Sequence, residues 1–82
     1  MEKSNDLLSR ITVNSQVMLG KPTIRGLRIT VEQILKSLSN GIAQTDLLEE
    51  YPELDKNDLQ AVFAYAAILV EEEQVFPVRL SA

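Results

Sequence analysis

Alternating apolar and polar positions predict β-structure in the first third of the chain. Residues 10–13 read RITV, a short β-branched run, and residues 23–30 read TIRGLRIT, in which the alternation is imperfect. An extended strand over 23–30 would place Ile24 and Ile29 on opposite faces. We therefore predict a β-hairpin, with a bulge or a close packing contact at Gly26.

A helical period replaces this alternation after Thr30. Thr30 and Gln33 form a capping-box pattern, and the pair Asn40-Gly41 is typical of a helix end. The residues between them form one apolar stripe at helical spacing: Val31, Ile34, Leu35 and Leu38. The pattern predicts an amphipathic first helix.

Two further helices are predicted after the Asn-Gly stop. The second covers about residues 44–51, buries Leu47, Leu48 and Tyr51, and ends at Pro52. Asp55 caps the third, with Asp58 returning the capping bond. Its predicted buried stripe is Leu59, Val62, Phe63, Ala66, Leu69 and Val70. The fold class predicted is α+β, mostly α, with an N-terminal β-hairpin followed by a trihelical helix-turn-helix-like core.

The third helix is apolar on more than one face, because Ala61, Ala64 and Ala67 lie beside the main stripe. Either the helix is buried centrally, or it offers a dimer or partner face. The segment VFPVRL at 75–80 is predicted to be an extended tail, which either adds to another chain's sheet edge or folds back on the hairpin. The candidate partner or dimer face comprises Tyr65, Ile68, Val75, Phe76, Val78 and Leu80.

The length of 82 residues indicates one domain, which we divide into a lead-in (1–9), a hairpin-plus-trihelical unit (10–73) and the tail (74–82). The sequence contains neither histidine nor cysteine. It therefore lacks the usual proton shuttle, thiolate chemistry and the commonest zinc ligands. No signal peptide or membrane span is evident. We expect a cytoplasmic protein without a cofactor or metal.

Charge is distributed unevenly along the chain. Between Leu7 and Val31 there are four basic residues and no acid, whereas residues 32–82 carry three basic residues against ten acids. The front can attract anions, and the rear favours cationic partners. The net charge is −4.

The stretch GKPTIRGLRIT at 20–30 is not a phosphate-binding loop, because its lysine follows the first glycine and the stretch leads into a strand. The carboxylate pairs fall on helix surfaces and at caps, where they are usually solvated or structural. We therefore predict that the protein is not an enzyme.

A trihelical core also suggests DNA binding, since helix-turn-helix proteins insert one helix into the major groove. Residues 44–73 carry one base against nine acids, which opposes phosphate contact. Alternatively, an arginine of the hairpin folds over the helices to cap a helix or pair with an acid. The candidate nucleic-acid or anion contacts are Lys21, Arg25, Arg28, Lys56, Asn57 and Gln60.

Several segments together resemble one family. GKPTIRGLRITVEQIL, SNG, LLEEYPEL and LQAVFAYAA, in this order and spacing, closely resemble the bacterial domain of unknown function 433 family, over about residues 10–67. Ala43 stands where that family usually has a capping serine, which weakens the second helix start. Leu19 and Leu27 replace what is often Gly and Thr, adding apolar surface near the hairpin.

The resemblance implies an antitoxin-like protein, similar in character to VapB-type antitoxins and commonly encoded beside PIN-like nuclease toxins. It implies a protein partner, a basic nuclease toxin, and a DNA-binding part that represses its own operon. We expect a homodimer formed through the third helix or the tail. The alternatives are a stand-alone DNA-binding transcriptional regulator and a structural or assembly domain.

Overall fold

The protein is described by a computed structural model that covers residues 3–72, with side chains from residue 6 onward. A helix that the sequence did not predict, α1, precedes the hairpin and packs against the last helix. The elements follow the order α1 (Lys3–Leu8), β1 (Ile11–Thr12), a 3₁₀ turn (Met18–Gly20), β2 (Thr23–Ile24), α2 (Val31–Ser39), α3 (Gln44–Glu50) and α4 (Lys56–Glu72). The predicted fold class, mostly α with a hairpin before a trihelical core, is confirmed.

The β-hairpin is shorter than predicted. β1 and β2 are antiparallel, with Ile11 opposite Ile24. The prediction of one strand over 23–30 is wrong, because β2 ends at Ile24 and the chain reverses. The Leu27 amide donates to the Ile24 carbonyl (2.8 Å), and the Ile24 amide donates to the Ile29 carbonyl (3.1 Å). Ile24 and Ile29, predicted on opposite faces, are therefore both buried.

Gly26 forms this reversal. Its φ of 74° and the φ of 49° at Arg25 are both left-handed. A Cβ at Gly26 would meet no heavy atom within 4 Å. The predicted bulge or close packing contact is therefore wrong, and the turn needs glycine for its backbone conformation.

The loop that joins the strands carries a second left-handed segment. Leu19 has a φ of 59° and is 92% exposed, so it adds apolar surface near the hairpin as predicted. A left-handed conformation at a non-glycine residue costs about 1–2 kcal/mol. Glycine at position 19, which the family resemblance suggested as common, would fit this backbone better.

Helix α2 begins and ends as predicted. The Thr30 hydroxyl accepts from the Gln33 amide (3.0 Å), and the Gln33 side chain accepts from the Thr30 amide (3.1 Å). Gly41 follows the helix end with a φ of 93°. Val31 and Ile34 are buried, and Leu35 and Leu38 pack against the core. Local sequence therefore determined this helix and its inward face.

Helix α3 buries Leu47 and ends before Pro52, as predicted. Its N-cap residue is Ala43, whose extended backbone (φ −69°, ψ 149°) suits a cap but whose side chain offers no acceptor. The side-chain cap that the sequence predicted to be missing at this helix start is therefore absent.

Replacing Ala43 by threonine should raise the free energy of unfolding by about 1 kcal/mol, because the hydroxyl would accept from an unpaired amide of the first turn. Ala43→Val is the matched control, since valine has the shape of threonine without the acceptor. Urea unfolding curves measure both variants. Equal stability of the Thr and Val variants would contradict the capping explanation.

The buried face of α4 differs from the predicted stripe. Leu59 and Val62 are fully buried, but Phe63, Leu69 and Val70 are exposed. Ala61, which was assigned beside the stripe, is also fully buried. The prediction for the second half of the stripe is wrong, because α4 is apolar around much of its circumference and its period cannot show which face meets the core.

One hydrophobic core joins the hairpin to the three helices. Its buried members come from β2, the three helices α2 to α4 and the segments that join them: Ile24, Ile29, Val31, Ile34, Leu47, Leu54, Leu59 and Val62. Between residues 3 and 72 the structure contains no helix with the length and apolar character for crossing a bilayer.

Candidate functional site

Asp58 is the most constrained polar residue that the structure describes. It lies in the first turn of α4, and its side chain is 0% exposed. Oδ1 accepts from Arg10 (2.8 Å) and from Nε of Arg25 (3.0 Å). Oδ2 accepts from Arg25 (2.8 Å) and from the backbone amide of Asp55 (3.0 Å). A buried carboxylate with four donors is fully satisfied.

The hairpin positions both arginine side chains at Asp58. Arg10 immediately precedes β1, Arg25 immediately follows β2, and the Arg25 amide donates to the Arg10 carbonyl (2.7 Å). Their side chains therefore leave neighbouring positions of the sheet and reach the start of α4. Arg25 also donates to the Glu53 carbonyl (2.6 Å), which ties down the turn before α4.

Asp55 completes what we call the Asp58 cluster: Arg10, Arg25, Asp55 and Asp58. Asp55 Oδ1 accepts from the Asp58 amide (2.9 Å), so the predicted capping exchange between these two residues is confirmed. Asp55 also accepts from Arg10 (3.1 Å). The cluster therefore joins a helix cap to three ion pairs. The alternative in which a hairpin arginine folds over the helices and pairs with an acid describes Arg25.

Electrostatics keep this carboxylate ionised. Burial by itself would raise the pKa of Asp58, but the hydrogen bonds from Arg25, Arg10 and the Asp55 amide outweigh it and lower that pKa. The bonds to Asp58 likewise raise the pKa of both arginines. At neutral pH Asp58 and the two arginines are therefore all charged, which suits a structural role.

The lowered pKa of Asp58 predicts a loss of stability in acid. A carboxylate whose pKa is lower in the folded chain stabilises it above the unfolded value, which is about 4. That contribution disappears as the pH falls through the folded pKa, which lies below about 4. Urea unfolding between neutral pH and about pH 2.5 measures the effect.

The control for this acid prediction is Asp58→Asn, because the asparagine side chain does not titrate. The parent should lose more stability than the variant over the same pH interval. The pKa of Glu32 is also lowered, chiefly by its hydrogen bond from Lys21. Because both proteins contain Glu32, the comparison removes its contribution. Parallel pH curves for the two proteins would contradict the assignment to Asp58.

The structure places the predicted cationic contacts in two separate groups. Arg25 lies in the Asp58 cluster, beside a cleft of about 790 Å³ that Arg10, Asn57 and Gln60 also line. Lys21 and Arg28 line a different cleft next to Leu19. The proposed contacts are therefore not brought together in one basic patch.

These cations also differ in how far they are committed to bonds inside the chain. Lys21 pairs with Glu32 at 2.8 Å. Arg28 is exposed and makes no ion pair with any residue between 6 and 72. Lys56, Asn57 and Gln60 are all exposed near the start of α4. Arg28 and these three residues are available to an external ligand.

The second half of α4 exposes an apolar surface that we call the α4 stripe: Phe63, Ala66, Ala67 and Val70. These residues are spaced i, i+3, i+4 and i+7, so they share one helix face. Phe63 is 39% exposed and Val70 is 61% exposed. Leu59, one turn before Phe63 on the same side of the helix, is fully buried, so contact with the core on this side ends in the first half of α4.

The predicted partner face does not coincide with the α4 stripe. Tyr65 is partly buried against the core, and Ile68 is partly buried as well. The remaining predicted members, Val75, Phe76, Val78 and Leu80, lie outside the described residues. Sequence reasoning missed the stripe because it assigned Phe63, Ala66 and Val70 to the core.

A shallow apolar groove between α2 and α4 was also missed. Pro22, Val31, Leu35, Tyr65 and Leu69 line it, and its volume is about 420 Å³. Leu35 and Leu69 were both assigned to buried stripes, and no sequence signal indicated that their contact would be incomplete.

Acidic residues follow one side of α3 and continue into the next turn. We call this surface the α3 ridge: Asp46, Glu49, Glu50 and Glu53. All four are exposed, and none of them forms an ion pair with another residue in the described part of the chain. Asp46, Glu49 and Glu50 are spaced i, i+3 and i+4, so they point away from the buried Leu47.

Within the described range there is no group of three histidine, cysteine, aspartate or glutamate side chains that could hold a metal ion. The exposed functional features on these residues are the α4 stripe, the α3 ridge, and the polar start of α4.

The comparisons with known proteins add one finding. A family model described as "Protein of unknown function (DUF433)" matches residues 11–66, which is more than half of the chain. The predicted resemblance over about residues 10–67 is thereby confirmed. No curated protein and no solved structure matches the chain. The family description assigns no activity, so an antitoxin-like role is a proposal.

Proposed function

We propose that this chain, which belongs to the DUF433 family of proteins of unknown function, is a non-enzymatic binding module that neutralises a basic nuclease of the PIN-like type. The α3 ridge carries the proposal. Its four carboxylates are exposed and form no ion pair within residues 6–72, so they give a negative surface that complements a cationic RNA-binding cleft. The neutraliser covers that cleft and excludes RNA from it.

The Asp58 cluster supports a binding role because it holds the ridge in place. Arg25 bonds both Asp58 and the Glu53 carbonyl, and Glu53 is the last member of the ridge. The hairpin, the turn after α3 and the start of α4 are therefore fixed relative to each other. A preorganised surface loses less entropy when it binds than a flexible one.

Charge also sets the expected behaviour of the complex. Opposite potentials on the two surfaces accelerate association, and this effect weakens as salt screens the charges. The complex should therefore dissociate more readily at high ionic strength. We place the protein in the cytoplasm, where such a nuclease would meet its RNA substrates.

Co-expression with a PIN-like nuclease tests the proposal. The parent chain should co-purify with the nuclease and suppress RNA cleavage. Reversing the ridge with Glu49→Lys and Glu50→Lys should weaken the complex by about 100-fold, because attraction becomes repulsion at the contact. Titration by calorimetry measures the affinity.

The matched control is Glu71→Lys with Glu72→Lys, which changes the net charge equally at exposed positions near the end of α4. This variant should bind within about threefold of the parent, since only the general attraction changes. If the two reversed variants bind equally well, or if the parent forms no complex, the proposal is wrong.

A second candidate, a DNA-binding regulator that also serves autoregulation, is favoured by the exposure of Lys56, Asn57 and Gln60 on α4. Asparagine and glutamine are suited to reading adenine edges, and arginine and lysine to holding phosphates. Against it, Arg25 and Lys21 are engaged with carboxylates of the same chain.

Fluorescence anisotropy with the DNA upstream of the gene tests this second role. Affinity should fall steeply with salt, and Arg28→Ala should weaken binding equally on all sequences, since Arg28 makes no internal ion pair in the described residues. Asn57→Ala should weaken binding to the upstream DNA selectively. Unchanged binding by both variants would remove this role.

A further inference from the structure

We propose that residues 75–80 of this chain dock in the apolar groove between α2 and α4 of the same molecule, which we call the α2–α4 groove. The groove holds about 420 Å³, a volume typical of ligand pockets. Leu69 lines it and is 41% exposed, so α4 contributes apolar surface here that the core leaves uncovered. The occupant follows from where the segment begins, from its composition and from the shortness of the sheet.

The segment starts beside the groove. The described part of α4 ends at Glu72, and Leu69 lies one turn earlier, a rise of about 4.5 Å. Residues 73–76 can extend about 13 Å beyond that end, which is nearly the length of the nine-residue helix α2. Phe76 and the residues after it are therefore within reach of the α2 wall of the groove.

The composition of the segment suits an apolar groove. Residues 75–80 read VFPVRL, so Arg79 carries the only charge. Extended segments that contain proline commonly bind in grooves with an aromatic wall, and Tyr65 lines this groove. At the rim, Oε2 of Glu32 has only a long contact with Lys36 (3.9 Å) among the described residues, so it can accept a hydrogen bond from Arg79.

The hairpin is too short to take this segment as a third strand. β1 and β2 pair over only two residues each, Ile11–Thr12 and Thr23–Ile24. So short an edge would give an added strand few backbone hydrogen bonds, and Pro77 has no amide hydrogen to donate. The α2–α4 groove offers side-chain contacts instead and requires no backbone pairing.

Attachment to α4 favours the groove of the same molecule over that of a second copy. A segment joined to its site through a few residues has an effective concentration on the order of 1 mM. A groove that bound the free segment with a dissociation constant on the order of 100 μM would then be occupied about ten to one. A second copy would compete only as the protein concentration itself approached about 1 mM.

A single tryptophan tests the docking, because the chain contains none. Phe76→Trp places this fluorescent reporter in the segment of the full chain and keeps an aromatic side chain there. Adding Leu69→Lys puts a charge in the groove at an exposed position and should displace the segment. The tryptophan should then emit at longer wavelength, and acrylamide should quench it roughly threefold more strongly than before, because the ten-to-one occupancy is lost.

The matched control is Val70→Lys, added to Phe76→Trp in the same way. It introduces the same charge at the next residue, which is 61% exposed and does not line the groove. Emission and quenching should both stay at the values of the Phe76→Trp chain. Circular dichroism verifies folding, and Ser39→Lys on the α2 wall replaces Leu69→Lys if that variant is unfolded.

Equal emission and quenching with Leu69→Lys and with Val70→Lys would overturn the proposal. So would a tryptophan as exposed in the unblocked chain as free indole. The signal should not change with protein concentration between about 1 and 500 μM, and a shift that grew with concentration would place the segment on a second copy and overturn the proposal. The experiment uses this chain alone, so its result is independent of the proposed nuclease partner.

Discussion

Replacing Asp58 by alanine should lower the free energy of unfolding by about 3 kcal/mol, the largest effect that we expect from any polar residue in the described chain. The substitution leaves two guanidinium groups without their shared acceptor and removes one half of the cap of α4. We take the low end of the range for a broken buried pair, because the side chains of Arg10 and Arg25 retain 28% and 40% exposure. Thermal and urea unfolding measure the loss.

The matched control for Asp58 is Asp46→Ala. Asp46 has the same side chain in the first turn of α3, but it is exposed and outside the cluster. Its loss should cost no more than about 0.5 kcal/mol, the usual value of an acid near a helix N-terminus. Similar losses for the two variants would show that the Asp58 cluster does not stabilise the fold.

The second large effect concerns how far along α4 the core extends. Leu59→Ala should destabilise the protein by about 3 kcal/mol, because it removes a fully buried side chain and leaves a cavity beside the core. Phe63 lies one turn further along the helix and was predicted on the same buried stripe. Phe63→Ala should cost no more than about 1 kcal/mol, because this side chain is 39% exposed.

Both variants are compared with the parent at the same low protein concentration. The ratio of their losses reports how far along α4 the contact with the core extends. Equal destabilisation would return Phe63 to the core and would remove the α4 stripe as a surface.

Local sequence predicted the caps and ends of the helices. The capping boxes at Thr30 and Asp55, the stop at Gly41 and the missing cap at Ala43 all follow from interactions within four residues. Such contacts are determined by side-chain chemistry and spacing alone, so no knowledge of the fold was needed. The inward face of α2 was predictable for a related reason, because α2 has a single apolar stripe.

The turn at Arg25 and Gly26 was not predictable from the alternating pattern. Its apolar positions suited a continuous strand, and burial of both Ile24 and Ile29 becomes possible only when the chain reverses between them. Glycine in a strand permits a bulge, a close contact or a reversal. The choice among these depends on the core that forms beneath.

The candidate surfaces also differ in how far the sequence predicted them. The acids of the α3 ridge could be read from the sequence as an acidic segment, whereas the α4 stripe was assigned to the core. Only part of the Asp58 cluster was predicted from the sequence, since the cap was predicted but Arg10 was not singled out. Arg10 and Asp58 lie 48 positions apart, and only the packing of the hairpin on α4 brings them to 2.8 Å.

The sequence by itself determined the fold class, the family, the helix caps and the division into a basic front and an acidic rear. Tertiary structure alone decided which face of α4 is buried and which cations remain available to a partner. Capping and periodicity act over one or two helical turns, so they can be predicted from short stretches of the sequence. Burial and ion pairing depend on which distant segments meet, and a helix that is apolar nearly all round leaves that choice to the packing of the whole domain.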